Sequence, residues 1–167
     1  TYGLSRWVPY FGTGVYLTQD QPVYSVRSHL CPAFGIAVDP QWDDVDWALY
    51  RRLLSQWRQV ADCFVGDYYP LTGWGLAEEA WIGWQFDLPE QGRGMVQVFR
   101  RTQSPFIAAA FPLRGLEAAS RYEVHDLDQE ATAILTGKQL LEQGLEVRIS
   151  ERPAARLLVY TKVGRKE

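Results

Sequence analysis

The chain has 167 residues, 47% hydrophobic and 22% charged, a globular composition that excludes disorder over most of its length. That length holds one ordinary domain, or a small domain with part of a neighbour, and falls short of the roughly 250 residues of a whole (β/α)8 barrel. A net charge of -3 and a pI near 5.4 leave no basic excess for nucleic acid or anionic lipid.

No apolar run approaches the roughly 20 residues of a membrane span, and the amino terminus has no charged-then-apolar leader pattern. Neither nucleic acid nor membrane is therefore an expected partner. The sequence starts at Thr1 and its single methionine is Met95, so Thr1 reads as something other than a translation start. The location is left open on that account, with the cytoplasm favoured.

In chain order, residues 7–14 (WVPYFGTG) suggest a strand running into a glycine-bounded loop. Residues 24–31 (YSVRSHLC) form a short predicted helix, and residues 34–40 (FGIAVDP) are a short apolar run fitting a buried strand. From about 46 to 64, Trp47, Tyr50, Leu53, Leu54, Trp57, Val60, Ala61 and Phe64 recur every three or four residues. That spacing predicts a helix with one buried face, with Asp43 and Asp44 as cap candidates. The result is a βαβα unit of the kind that builds parallel barrels.

Residues 66–75 (GDYYPLTGWG) read as an ordered connector. Beyond it the rhythm changes to short strands, expected at 80–86, 94–101, 106–113, 121–126, 131–135, 146–149 and 156–163, with turn signals between them. One short helix at 135–144 interrupts the series. This spacing predicts a β-sandwich.

Cys31 and Cys63 are too far apart, and too poorly supplied with histidine, for a zinc site. Two buried free thiols are the favoured reading, with a disulfide as the alternative. No metal or cofactor is expected. The chain has no G-x-S-x-G, P-loop, H-E-x-x-H or dinucleotide fingerprint. A glycosidase needs two carboxyl groups facing each other across the sugar. Asp43, Asp44 and Asp46 read as caps, Glu78 and Glu79 as solvated, and Asp126 and Asp128 as a strand-end turn. His29 and Cys31, two apart on a helix, do not face each other.

The aromatics are the remaining signal, since Trp stacks on sugar faces. Trp47 and Trp57 are expected on the buried helix face, and Trp81 and Trp84 on opposite faces of their strand. Trp7, Trp42 and Trp74 look terminal or loop-borne, with packing still the favoured role.

The segments TYGLSRWVPYFGTG, RSHLCPAFGIAVDP, WRQVADCFVGDYYPLT, AWIGWQFDLPEQGRGMVQVFRRTQSPF and FPLRGLEAASRYEVHDLD resemble, in order, the end of the bacterial family 36 glycoside hydrolases, the α-galactosidase (melibiase) group. FRRTQSPF, LRGLEAASRYEVHDLD and TGKQLLEQGL are the most specific phrases. The resemblance implies the last βαβα unit of a (β/α)8 barrel over residues 1–66, a connector at 67–77, and an antiparallel β-sandwich over 78–167. It implies a retaining mechanism in which one Asp attacks the anomeric carbon and another serves as acid and base. The family places these in Lys-Trp-Asp and Trp-x-Ser-Asp segments, and neither occurs here.

The expected role is thus a carboxyl-terminal fragment of an α-galactoside-hydrolysing enzyme, without the catalytic pair. The alternative is a non-catalytic sandwich module that binds carbohydrate or braces its neighbour. Loops after barrel strands face the active site, so Tyr10 and Phe11 are expected to line a galactoside pocket in the intact enzyme. An exposed partial barrel also invites self-association through residues 1–40.

Overall fold

A computed structural model describes residues 2–8, 10–16, 22–39, 41–43 and 45–164. The chain opens on a single 3-10 turn, Leu4–Arg6, where a strand was expected from Trp7. Tyr2 anchors this turn: it is buried, its hydroxyl donates to the Thr72 carbonyl (2.6 Å), and its carbonyl accepts from the Tyr68 hydroxyl (2.9 Å).

Strand β1 comes later, at Gly12–Tyr16, so the glycines read as a loop lie inside it. Thr13 and Val15 turn toward the core while Gly12, Gly14 and Tyr16 are exposed, the two-residue period of a half-buried strand. Helix α1, Pro22–His29, follows, then β2, Ala33–Ala37, which pairs with β1 in parallel from Gly12 opposite Ala33 to Tyr16 opposite Ala37.

Helix α2, Trp47–Val60, is capped by Asp46, whose side chain accepts from the Leu49 amide at 2.9 Å. Asp43 lies in the preceding turn and Asp44 is outside the described residues. The buried face carries Tyr50, Leu53, Gln56 and Val60. Trp57 is half-buried and donates to the Cys31 carbonyl at 2.9 Å. Trp47, by contrast, is 49% exposed, because it is the first helical residue and stands before the packed face begins. A 3-10 turn, Ala61–Val65, ends the helix.

The segment read as a connector contains a short strand, β3 (Asp67–Pro70). A proline is tolerated there because the strand is at a sheet edge. All seven strands expected downstream are present: β4 (Trp81–Leu88), β5 (Arg93–Arg100), β6 (Ala108–Phe111), β7 (Arg121–Asp126), β8 (Thr132–Thr136), β9 (Leu145–Arg148) and β10 (Ala154–Lys162). Helix α3, Gly137–Glu142, joins β8 to β9 and is opened by a Thr136/Gln139 capping box.

Strands β3-β4-β5-β10-β7-β8 form one six-stranded antiparallel sheet, and β6-β9 form a separate antiparallel pair. The last strand in sequence, β10, thus occupies the middle of the large sheet. Alternation sends Trp84, Phe86, Met95, Phe99 and Leu157 to one face, where they share a core with Val26, Leu30, Leu53, Val60 and Phe64. Val96, Val98, Tyr122, Val124, Leu158 and Tyr160 go to the other, against Phe111, Leu113, Leu140, Leu145, Val147 and Ile149. The large sheet is therefore covered on both faces, by helices on one side and by β6, β9 and α3 on the other.

Cys31 and Cys63 are both buried and unpaired, as expected. Burial, with some help from Asp87, pushes the Cys63 thiol up to about 11, which holds it as an unreactive thiol at neutral pH.

Phe99 stacks on Trp84 with ring centroids 5.0 Å apart and meets the edge of Tyr24 at 5.4 Å. Replacing it with alanine should cost about 3–5 kcal/mol, the range for emptying a buried aromatic site. Gly94 packs against Tyr160 and the Phe86 carbonyl with no room for a methyl group, and Gly94→Ala should cost about 1–3 kcal/mol by overpacking. Urea unfolding of the 167-residue chain reads both; a Phe99→Ala midpoint equal to that of the wild type refutes the shared core.

Candidate functional site

In parallel sheets, ligands bind beyond the carboxyl ends of the strands. Here that end is formed by Tyr16 on β1 and by Val38 and Asp39 after β2. Register sets Tyr16 directly beside Ala37, two residues from Asp39, and Tyr16 is 75% exposed. Asp39 accepts from the Gln41 amide through Oδ1 (2.9 Å), and its carbonyl accepts from the Trp42 amide (3.1 Å). This places Trp42, 42% exposed, close in the chain to the same end. On the open face of the pair the other side chains are Gly12, Gly14, Ala33, Gly35 and Ala37, all exposed, so nothing bulky stands over it but Tyr16.

Tyr10 and Phe11 lie elsewhere. Tyr10 is 66% exposed; Phe11 is half-buried on the core that includes α1 and α2, and its carbonyl accepts from the Ala33 amide at 3.2 Å. Both precede β1 and stand at its amino end. The loop-after-strand argument that singled them out depended on a strand ending before Gly12, and the strand begins there. The residue at the carboxyl end of β1 is Tyr16, on the exposed side of the strand's alternation.

The remaining sequence candidates are engaged locally. Asp46 caps α2, Glu78 and Glu79 are exposed, and His29 Nδ1 contacts the Ser25 carbonyl within its own helix at 2.8 Å. Trp7 and Trp74, for which packing was favoured, are 86% and 67% exposed. Trp81 and Trp84 do fall on opposite faces, in different cores. Among the described residues no group of three or more His, Cys, Asp or Glu is arranged to hold a metal, and no helix is long and apolar enough to cross a membrane.

What sequence reasoning missed is a buried polar cluster between the helices and the large sheet. Arg27 on α1 is 1% exposed. Its guanidinium donates twice to Asp128, to Oδ1 at 2.6 Å and Oδ2 at 2.7 Å, and also to the Ala155 carbonyl (2.7 Å) and to Gln56 Oε1 on α2 (2.9 Å). Gln56 in turn donates to the Leu127 carbonyl at 2.8 Å. The Arg27 carbonyl accepts from Gln97 on β5 (3.1 Å), whose Oε1 accepts from Trp84 Nε1 on β4 (2.9 Å). Burial raises the Asp128 carboxyl, but the hydrogen bonds and charge of Arg27, with Gln56 and Arg156, outweigh it and hold it below the usual carboxylate range.

A second buried cluster lies on the other face. Gln85 donates to the Tyr160 hydroxyl (2.7 Å) and to the Arg114 carbonyl (2.9 Å) and accepts from the Arg114 amide (2.8 Å). The Tyr160 hydroxyl donates to Asp87 Oδ1 at 2.6 Å. Burial raises the Asp87 carboxyl against the opposing effect of that hydrogen bond. Both clusters tie elements together: α1, α2 and the large sheet in the first, β4, β10 and the Arg114 loop in the second.

No protein-family profile and no curated protein matches the chain. Solved structures do. An α-galactosidase from Lactobacillus brevis superposes with a TM-score of 0.72 over 93% of this chain and 23% of its own, at 16% identity. A GH36 α-galactosidase from Geobacillus stearothermophilus in complex with raffinose gives 0.69 over 92% and 22%, at 13% identity. The galactosidase domain of an α-galactosidase-sucrose kinase gives 0.68 over 91% and 22%, at 17% identity. The fold is that of the carboxyl-terminal part of GH36 α-galactosidases. The chain spans about a fifth of the length of these enzymes.

The Arg27 cluster yields a stability prediction. Arg27→Met strands Asp128 without its main partner and should cost about 3–5 kcal/mol. Because the folded Asp128 pKa is depressed, the pair's stabilisation is fully present above the ordinary carboxylate pKa and is lost as pH falls through the depressed value. In Arg27→Met that contribution is gone, so stability should be lower at neutral pH and should fall less steeply below the ordinary carboxylate pKa than in the wild type. Unfolding curves between pH 2 and 7 check this; an unchanged acid limb refutes the assignment.

Proposed function

We propose that the chain is the carboxyl-terminal part of an α-galactosidase-like retaining glycoside hydrolase acting on terminal α-galactosides. Residues 1–66 form the closing βαβα unit of its catalytic barrel, and residues 78–167 form a β-sandwich that braces it, with 67–77 between them. The observation that carries this reading is the fold likeness to α-galactosidases over 91–93% of the chain; solved neighbours include complexes with raffinose and with stachyose. The parallel pairing of β1 with β2 around α1 supports the barrel assignment, since parallel strands joined by a helix are the barrel's repeating unit.

Retention needs a carboxylate nucleophile and a carboxyl acid about 5 Å apart. The chain contains neither motif that carries them in the family it resembles, so the pair belongs to another part of the enzyme. This part supplies wall and support. On this reading the wall is set by Tyr16 and Asp39, at the carboxyl ends of β1 and β2, with Trp42 nearby; Tyr10 and Phe11 stand at the opposite end of β1. A bracing role for the sandwich is supported by how its aromatics are used: Trp84, Phe86 and Phe99 are buried in ring contacts with each other and with residues of the helical layer.

Exposed Trp74 and Phe106 favour the binding-module alternative. They stand on neighbouring loops joined by Arg101, which donates to the Gly75 and Ala77 carbonyls, and by the Gln103 amide on Glu78.

The pure chain is expected to release no phenol from an aryl α-galactoside and to give no heat with raffinose in a calorimeter. Heat-labile turnover by the chain alone defeats the claim that its chemistry lies elsewhere. A binding signal abolished by Trp74→Ala decides for the binding module over the brace.

A further inference from the structure

The register of β3 on β4 sets Asp67 directly across from Asp87. Facing residues of an antiparallel pair share one side of the sheet, and like charges in that position repel. The two carboxyls are housed differently: Asp67 is exposed, whereas Asp87 is 2% exposed. Tyr160 donates to Asp87 Oδ1 at 2.6 Å, and among the described residues Oδ2 has no hydrogen-bond partner. A buried carboxylate oxygen without a donor is costly, and a proton on it removes most of that cost.

Among the described residues no Lys, Arg or His pairs with Asp87. β3 presents Asp67 and Tyr69, whose hydroxyl contacts Asp67 Oδ2 at 3.5 Å. β5 presents Gly94, over which Tyr160 of β10 reaches. The loop after β6 presents the backbone of Gly115, at φ 74°, where a Cβ would sit 2.7 Å from Asp87 Oδ2; its neighbour Arg114 is exposed. Lys162, two residues beyond Tyr160, pairs with Glu117 at 2.7 Å. Cys63, in the 3-10 turn before β3, is the thiol that Asp87 helps to raise, and Arg93 beside it pairs with Asp62.

β3 carries more than its own four residues. The Tyr68 hydroxyl donates to the Tyr2 carbonyl (2.9 Å), and just past the strand the Thr72 carbonyl accepts from the Tyr2 hydroxyl (2.6 Å). The Leu71 amide donates to the Gly83 carbonyl at 3.0 Å. β3 is an edge strand with β4 as its one neighbour in the sheet, so whatever loosens that pairing also loosens the amino-terminal turn.

We propose that Asp87 is a proton-operated latch: protonated, it lets β3 close on β4 and hold the amino-terminal turn through Tyr2; ionised, it repels Asp67 and releases the edge strand together with that turn. Burial raises the Asp87 carboxyl; the Tyr160 hydrogen bond opposes this and Asp67 adds to it. Below the ordinary carboxylate pKa Asp87 is neutral in the folded and the unfolded chain, so the latch is fully closed there. It weakens as pH rises from that value through the raised one. The direction is opposite to that of Asp128, and the latch does not rest on the glycosidase reading.

Hydrogen exchange of the 167-residue chain, read by mass spectrometry and corrected for the intrinsic exchange rate, tests it. In the wild type, protection of residues 67–72 and of residues 2–8 should fall together by roughly tenfold or more between about pH 4 and about pH 8. Asp87→Asn, which keeps the side-chain shape and the acceptor for Tyr160, should hold protection constant over that range. Asp67→Asn, at an exposed position, should shrink the fall. Infrared spectra of the wild type should show a carboxylic acid band above the ordinary carboxylate pKa that Asp87→Asn lacks. Wild-type protection constant with pH, or a fall retained in Asp87→Asn, overturns the proposal. So does calcium that restores protection at the upper pH in the wild type and not in Asp87→Asn, since the carboxyl pair then serves a cation in place of a proton.

Discussion

The structure turns on one buried cation. A guanidinium that is 1% exposed is tolerable only where nearly all its donors find acceptors, because desolvating an ion costs about several kcal/mol even after relaxation. Arg27 meets that demand with partners from three places: Asp128 in the β7–β8 turn, the Ala155 carbonyl on β10, and Gln56 on α2. Each partner is fixed in turn. The Asp128 amide donates to Asp126 (3.0 Å), and Gln56 donates to the Leu127 carbonyl, whose own amide donates to the Leu157 carbonyl (3.0 Å). Orientation at Arg27 therefore specifies how α1, α2 and the large sheet meet, a geometric demand that apolar packing alone does not impose.

The same region explains why the large sheet needs both of its covers. Its central strand, β10, is the last to be made, and it pairs with β5 and β7, strands that begin about 60 and 30 residues earlier. Such pairings close long loops, and loop-closure entropy has to be repaid by burial on formation. Leu157 on one face and Leu158 and Tyr160 on the other each enter a different core. The strand is thus held by burial on both sides and by the Gln85–Tyr160–Asp87 chain of hydrogen bonds across its end.

Legibility in the sequence followed the range of the interaction. Helix α2 and the strands from β4 onward announced themselves through three-to-four and two-residue periods, which are properties of neighbours in the chain. Local readings failed where a residue served a distant partner. Gly12 and Gly14 looked like loop punctuation because their place on a strand face is set by Ala33 and Gly35 across the ladder. β3 looked like a connector because its four residues form a strand only by pairing with β4. Arg27 carried no signal at all, since Asp128 is 101 positions away. Where Tyr10 and Phe11 stand depended on the same thing: β1 begins at Gly12, so both precede it and Tyr16 lies at its carboxyl end.

The change of rhythm between residues 66 and 78 marks two styles of secondary structure, yet it marks no energetic seam. Val26, Leu30, Leu53 and Phe64 from before it share one core with Trp84, Phe86, Phe99 and Leu157 from after it. The Arg27 pair crosses the same line. Separating the helical layer from the sheet would expose that core and leave Asp128 without its main partner, so the two layers stand or fall together. The β1–β2 pair is consequently backed, through that core, by the antiparallel sheet. Through Val15, Phe34, α1 and Arg27, the position of β1 is referred to the most deeply buried strands in the molecule.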